Sequence, residues 1–532
     1  MGFPKPREAV LALLTLVAVG LVAYWPHIAH GGFYSDDWAD IAATLYPPEG
    51  GDFHTTLDFY SHLFPYRPGL ILYVPLKYWV LGANTGLQLA WAVCLAAIVA
   101  ALLYAVLRLF SVPWFHAWPI AALTIVFPWS DSTKFWEAAS LPSLAIAIAL
   151  VGLLVALAAL DRRSLWLHLL AAALYAVSIL TYEITLPLIA GFGLLYVLRA
   201  GWVRARGRWG IDLLVVVAAG LWNAAHTNRA VSTIGGDLEH LGEIISGGGT
   251  IVGRTLWPVG AHSHTTPMLL ILLAVFAAGT GAYLWDRQRW NVEGDWGLPR
   301  WLALGAAGLV VAVLGWAMFI PADPYYTPSV LGSTNRVNAI ACLGVVILVY
   351  AAIGTGVTLA AELFKPGRRV ASAAIVALAL MLGAAYVHTL ERHSDIWNAA
   401  YDNEVLVAEK IQQRFPDLSP EQTLFVGGTA AFQTLGVPIF EAPWSLNGMV
   451  KERFENGDLT AYAAAALPVQ ELVCEPTGVA LTGSEPMPTG PYGSALLFNA
   501  ATGQSARPRD RAACRRVIAE FAAGPAVLAS GY

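Results

Sequence analysis

Charge is scarce in this chain. Asp, Glu, Lys and Arg make up 13% of its 532 residues, where soluble globular domains carry about 25%. That shortage excludes one water-soluble core of this length. A hydrophobic share of 57% and a mean hydropathy of +0.58 mark a polytopic membrane protein instead. Excess positive charge is also missing. The net charge is −5, so no nucleic-acid partner is expected. Cysteine is nearly absent, with four in all, and no CxxC or Cys/His zinc spacing occurs. Cys94 and Cys342 fall inside apolar runs, whereas Cys474 and Cys514 lie in the polar C-terminal part. There a disulfide is compatible with an oxidising compartment, and the sequence leaves the pairing open. No GxGxxG follows a strand and no tandem repeat is evident. The apolar run that ends at Trp25 has no small-residue cleavage site after it, so a retained first span is expected.

Stretches of about 20 apolar residues mark the spans. They fall near 8–28, 84–108, 115–130, 138–160, 165–181, 183–199, 210–227, 266–285, 300–320, 337–361 and 370–388, eleven in all. The run 68–82, interrupted by Pro75 and Lys77, reads as a helix in the interface. Lys and Arg assign the sides. One set of span ends holds fifteen of them and the opposite set, up to residue 388, holds six. The N-terminus is therefore expected in the cytoplasm, in a multi-pass protein of the cell inner (plasma) membrane. An odd span count then places the chain after about 390 outside. The tight turn Thr181–Glu183 is the step on which that parity depends.

The long loops 29–67, 228–265 and 321–336 all fall on the external side, where function tends to reside. Residues 236–246 have helical apolar spacing and are expected along the interface. The expected division is a transmembrane domain 1–389 and a soluble extracytoplasmic α/β domain 390–532. In the latter a helix is expected over 391–414, with Ile396, Ala400, Leu406 and Ile411 inward. Strands are expected at TLFVGG (423–428), ELVCE and SALLFNA, with a helix at LNGMVKERF.

The external ends carry the ionisable groups. GGFYSDDWAD (31–40) places Asp36 and Asp37 beside a lipid surface, where carboxylates are costly to keep without a role. One acid would suffice to cap a helix. Tyr66 and Arg67 close the first loop, and Asp131, Lys134 and Glu137 lie between the third and fourth spans. On residue type alone that turn reads as a solvated one with Lys134 as local ion-pair partner. Tyr182 and Glu183 sit in the next external turn, and His226, His262 and His264 border the following loop. Arg336 opens the tenth span. A sugar transferase working on a lipid phosphate needs these types. A carboxylate accepts the hydroxyl proton, an Arg or a metal stabilises the leaving phosphate, and aromatics stack on the sugar.

DDWADIA (36–42) just after the first span is similar to the Asp-Glu-x-x-x-x-Ile element of lipid A aminoarabinose transferases and protein O-mannosyltransferases. YRPGLIL (66–72) is similar to the Tyr-Arg-Pro-Leu element of the O-mannosyltransferases that carry tetratricopeptide repeats. The chain thus resembles the GT-C glycosyltransferases. Its second acid is Asp37 rather than Glu, no tetratricopeptide repeats follow, and the Trp-Trp-Asp motif of oligosaccharyltransferases is absent. The resemblance implies an all-α polytopic membrane protein with a C-terminal extracytoplasmic α/β domain. It implies an inverting glycosyltransferase that uses a polyprenyl-phosphate-linked sugar donor and a glycan, lipid or protein acceptor at the membrane lipid surface. Asp36 takes the place of the catalytic aspartate, with Asp37 as the second choice. Arg67, Arg336, Tyr66, Glu137, Glu183 and Trp38 are the candidate substrate and phosphate contacts. A divalent metal would draw on Asp37, Glu137, His262 and His264. The alternatives are an O-antigen-type polymerase or ligase, and a non-enzymatic lipid-linked sugar transporter or flippase.

Overall fold

A computed structural model of the protein describes residues 4–47, 51–227, 234–258, 265–290, 296–365, 367–434, 436–465, 471–482 and 489–522. All eleven expected spans are helical. They are Pro6–His30, Thr85–Leu109, Trp114–Ile125, Leu141–Arg162, Leu165–Thr181, Leu186–Ala200, Trp202–His226, Thr265–Trp285, Leu298–Ala317, Ala341–Phe364 and Arg368–Arg414. Among the described residues nine helices are long and apolar enough to cross a membrane. The chain is a multi-pass membrane protein, mostly helical, with a small C-terminal α/β region. Three of the eleven are shorter. Leu165–Thr181 has 17 residues, Leu186–Ala200 has 15 and reaches 18 only with the 3-10 turn before it, and Trp114–Ile125 has 12 because the chain turns at Phe127 and Pro128 into a 3-10 stretch. The turn after Thr181 is present: Tyr182 is extended and Glu183–Thr185 forms a single 3-10 turn before the next helix.

Exposed tryptophans stand in two belts. Trp25, Trp79, Trp222 and Trp257 lie toward one set of helix ends, and Trp114, Trp166, Trp202 and Trp285 toward the other. That is where amphipathic rings settle at the two lipid–water boundaries. The first belt borders the face that carries the long loops. Among the described residues two short helices, Asp36–Leu45 and Phe53–Leu63, build the first loop, and a third, Pro68–Leu81, follows it. The helix expected near 236–246 extends over Ile234–Leu256.

The expected boundary near 389 falls inside one continuous helix of 47 residues, Arg368–Arg414. After Gly383 no Gly or Pro interrupts the sequence as far as Arg414, so nothing stops the helix where it leaves the membrane. Its outer half buries Trp397, Ala400, Val407, Ala408 and Ile411. Ile396 is half-buried. Leu406, expected inward, is exposed, because the buried stripe passes one position later, at Val407 and Ala408.

Among the described residues the C-terminal region has seven strands: β1 Thr423–Thr429, β2 Thr460–Ala465, β3 Leu472–Cys474, β4 Gly478–Leu481, β5 Gly490–Pro491, β6 Ala495–Asn499 and β7 Ser505–Ala506. One sheet has the order β2-β1-β6-β7, with β1 parallel to both β2 and β6. An antiparallel sheet runs β3-β4-β5. Cys474 on β3 is disulfide-bonded to Cys514 on helix Arg511–Ala522. Helix Pro443–Arg453 connects β1 to β2 and docks on helix Asp36–Leu45. The docking is close at Gly448, where a Cβ would run into the backbone carbonyl of Trp38.

Candidate active site

The site begins with one turned residue. Ser35 has φ +45°, a region that costs a non-glycine residue about 1–3 kcal/mol. Its hydroxyl donates to Glu441 Oε1 at 2.9 Å, so the C-terminal region holds the turn in place. Helix Asp36–Leu45 starts at once, and the two acids point apart. Asp37 is fully buried. Its Oδ2 accepts the Tyr34 backbone N–H at 3.1 Å and its Oδ1 accepts the Ala138 N–H at 2.7 Å. Burial, then the charge of Glu137, pushes its carboxyl above the usual range. Asp36 instead lines a cavity of about 510 Å³. The indole Nε1 of Trp444 donates to Asp36 Oδ1 at 2.7 Å. No hydrogen bond reaches its Oδ2 among the described residues.

One helical turn on, Asp40 lines the same cavity. Its Oδ1 accepts the Tyr60 hydroxyl at 2.7 Å. Burial pushes its carboxyl up to about 7, against the pull of Lys77 and the Tyr60 hydroxyl. Glu441, close to Asp36, is likewise raised to about 7, mainly by burial.

The cavity walls hold three cations. Arg67 makes a two-pronged pair with Glu183, Nε to Oε2 at 2.7 Å and Nη2 to Oε1 at 2.6 Å. Its guanidinium also lies over Tyr182 at 4.2 Å and Tyr66 at 5.0 Å. Lys77 is buried and paired with Glu137. Arg336 is different. Its guanidinium lies 4.9 Å from the Trp136 ring and 5.5 Å from that of Tyr326, and its Nε is buried without a hydrogen-bond partner. Among the described residues it has no carboxylate ion pair. The rim is apolar: Phe59 and Leu63 line the cavity and are also exposed. A smaller cavity of about 80 Å³ adjoins through Arg67, Tyr182 and Tyr326, and reaches Glu183.

The structure thus brings Asp36, Tyr66, Arg67, Glu137 and Arg336 together around one cavity, with Glu183 behind Arg67. Trp38 turns away from it, donating from Nε1 to buried Glu404 at 2.9 Å and stacking on Tyr401. The turn 131–137 is not solvated, contrary to the expectation from residue type. Asp131 is buried and paired with His393, and its Oδ1 accepts from Asn335 Nδ2 at 2.5 Å. Lys134 is buried too, and donates to Ser130 O at 2.8 Å and Ser130 Oγ at 3.0 Å rather than to a neighbouring acid. The reason is that the turn lies under the long helix and the first loop. His262 and His264 lie outside the described residues.

Among the described residues the donor set does not fit a metal. Both oxygens of Asp37 accept backbone N–H groups. Those of Glu137 accept from Ser140 and from Lys77 and Tyr78. No three His, Cys, Asp or Glu side chains converge as a ligand group among the described residues. Asp40 lies in the acidic run itself, four residues from Asp36 and so on one helix face. Two cavity residues escape a reading of the sequence by motif. Lys77 was signalled by being a lone charge in an apolar helix. Trp444 had no local signal, since it meets Asp36 across 408 positions.

No family model matches the chain, and no curated protein matches it. Among solved structures it is similar to the crystal structure of ArnT from Cupriavidus metallidurans bound to undecaprenyl phosphate. The sequences are 12% identical, the match covers 84% of this chain and 85% of that one, and the TM-score is 0.39.

Proposed function

We propose that this chain is an inverting membrane glycosyltransferase of the GT-C kind, moving a sugar from a polyprenyl-phosphate donor to an acceptor hydroxyl. The observation that carries the reading is one cavity with an exposed apolar rim at Phe59 and Leu63, carboxylates at Asp36 and Asp40, and a cation, Arg336, without a carboxylate partner among the described residues. The rim suits a lipid tail that stays in the bilayer, and the polar floor suits a phosphate-linked sugar. The excess of Lys and Arg on the opposite face supports reading this face as extracytoplasmic.

In the proposed step Asp36 Oδ2 takes the proton of the acceptor hydroxyl. The acceptor oxygen forms a bond to the anomeric carbon while the bond from that carbon to the phosphate oxygen breaks, with inversion. The electron pair and negative charge leave on the lipid phosphate, which Arg336 receives as a fork-shaped donor. Arg67 is already neutralised by Glu183 and serves chiefly to shape the wall. Asp37 is the positioning residue that ties the first loop to the Glu137 turn. No step draws on a metal.

The test uses purified full-length protein in lipid nanodiscs and a synthetic polyprenyl-phosphate sugar. Asp36→Asn should lower transfer by roughly 10²–10⁴-fold, the usual contribution of a general base, with an unchanged unfolding profile. Arg336→Gln should raise the donor KM. Full activity in Asp36→Asn removes that residue from the mechanism. Radiolabelled donor counterflow in proteoliposomes, with no transfer, would replace the reading with a transporter.

A further inference from the structure

The transferase reading leaves the acceptor open, and one side chain bears on it. Trp444 is half-exposed, lines the cavity and comes from the C-terminal region. Every other exposed tryptophan among the described residues belongs to one of the two boundary belts. Trp444 instead stands on helix Pro443–Arg453, outside every spanning helix, and faces the cavity. Its indole N–H points at Asp36 Oδ1, so one ring edge faces the carboxylate, and half of the side chain stays exposed. The helix that carries the ring is held firmly. Helix Pro443–Arg453 begins with proline at its first position, Gly448 lies against the Trp38 carbonyl, and Glu441 accepts from Ser35. An aromatic face beside two carboxylates is the chemistry that grips a pyranose or furanose ring. The C–H face of the sugar lies on the indole and its hydroxyls reach the acids.

Resting on the transferase reading, we propose that the acceptor is a saccharide, and that Trp444 is the platform that stacks its ring and delivers one hydroxyl to Asp36. The lipid-facing wall, Phe59 and Leu63, belongs to the first loop, and Trp444 stands on the soluble region instead. The acceptor approaches from the water side, and a peptide hydroxyl would leave the indole face without a partner ring. Trp444 thereby gives the C-terminal region a share in acceptor choice.

The experiment uses full-length protein with a synthetic polyprenyl-phosphate sugar and two sets of acceptors: capped gluco-, galacto-, manno- and arabino-oligosaccharides, and Ser/Thr peptides. At least one oligosaccharide should accept. With it, Trp444→Ala should raise the acceptor KM at least tenfold with a smaller change in kcat. Trp444→Phe, which keeps a ring and loses the N–H, should recover most of the KM. Saturation-transfer NMR of the same oligosaccharide should be lost in Trp444→Ala and kept in Trp444→Phe. Transfer to peptides alone, or equal KM in wild type and Trp444→Ala, overturns the proposal while the transferase reading stands. Absence of any donor turnover by the wild type, to acceptor or to water, overturns both.

Discussion

The two faces of the membrane bundle carry similar charged side chains and use them differently. On the cavity face, ion pairs join distant segments and are buried: Arg67 with Glu183, Lys77 with Glu137, His393 with Asp131. On the opposite face Arg199 pairs with Asp161 at 2.8 Å and Arg108 with Glu8 at 2.7 Å, in part-exposed settings. His168 and Asp212, fully buried and 3.1 Å apart, are the exception there. Water screens the second kind of pair and barely reaches the first. The cavity face therefore holds its loops together through charge neutralisation, and the opposite face holds basic residues chiefly as a topological signal.

That contrast breaks most visibly at Arg67. Glu183→Gln leaves a buried guanidinium without its counter-charge, and losing one partner of a buried pair costs about 3–5 kcal/mol. Thermal or denaturant unfolding in detergent should register that loss. The double variant Arg67→Met, Glu183→Leu should recover much of it, since no buried charge is then left uncompensated. A loss below about 1 kcal/mol in Glu183→Gln, the range of exposed pairs, would mean that water enters this wall, and the two faces would no longer differ in kind.

The sequence made the gathering legible and the pairing illegible. Alternation of spans alone brings Asp36, Arg67, Glu137, Glu183 and Arg336 to one face, because each lies at the same kind of span end. The strands at 423–429 and 495–499 are short apolar runs beside glycine or turn residues, so local pattern sufficed. Partners were another matter. Lys77 meets Glu137 over 60 positions and His393 meets Asp131 over 262, and no local rule chooses among several acids at one boundary. The neutralisation of Arg67 is a tertiary fact of this sort, and so is the turn that sends Asp36 and Asp37 in opposite directions. Asp40 shows the intermediate case. Its spacing from Asp36 was visible, but its burial depends on Tyr60 and the first-loop helices packing over it.

Asp40 supplies the next test. Its carboxyl titrates at about 7 in the folded chain, against 3.8 for an ordinary aspartate, chiefly through burial. Between those values the folded state holds a proton that the unfolded state releases. Stability therefore falls as pH rises through that window, and the full penalty stands above it. Asp40→Asn keeps an oxygen for the Tyr60 hydroxyl and removes the charge. It should raise the melting temperature at pH 8 and change it little near about pH 3, where the unfolded carboxyl is itself largely protonated. A lower melting temperature at pH 8 would show that the ionised carboxylate is stabilised where it stands, and that this wall of the cavity is wetter than its geometry implies.

The smallest effect belongs to the opposite face. Asp161 accepts from Arg199 Nε at 3.1 Å and Nη2 at 2.8 Å, a good two-pronged geometry. Its side chain nevertheless keeps 42% of its surface in solvent. Geometry favours this pair and hydration weakens it, and for exposed pairs hydration usually wins, leaving about 0.2–1 kcal/mol. Asp161→Asn should cost no more than that by unfolding in detergent, and the cost should shrink as salt is raised, because the charges are screened over a Debye length of about 10 Å at 0.1 M. Glu183→Gln should show no such salt dependence. Equal losses in the two variants, or equal responses to salt, would place both pairs in the same dielectric and remove the difference between the faces.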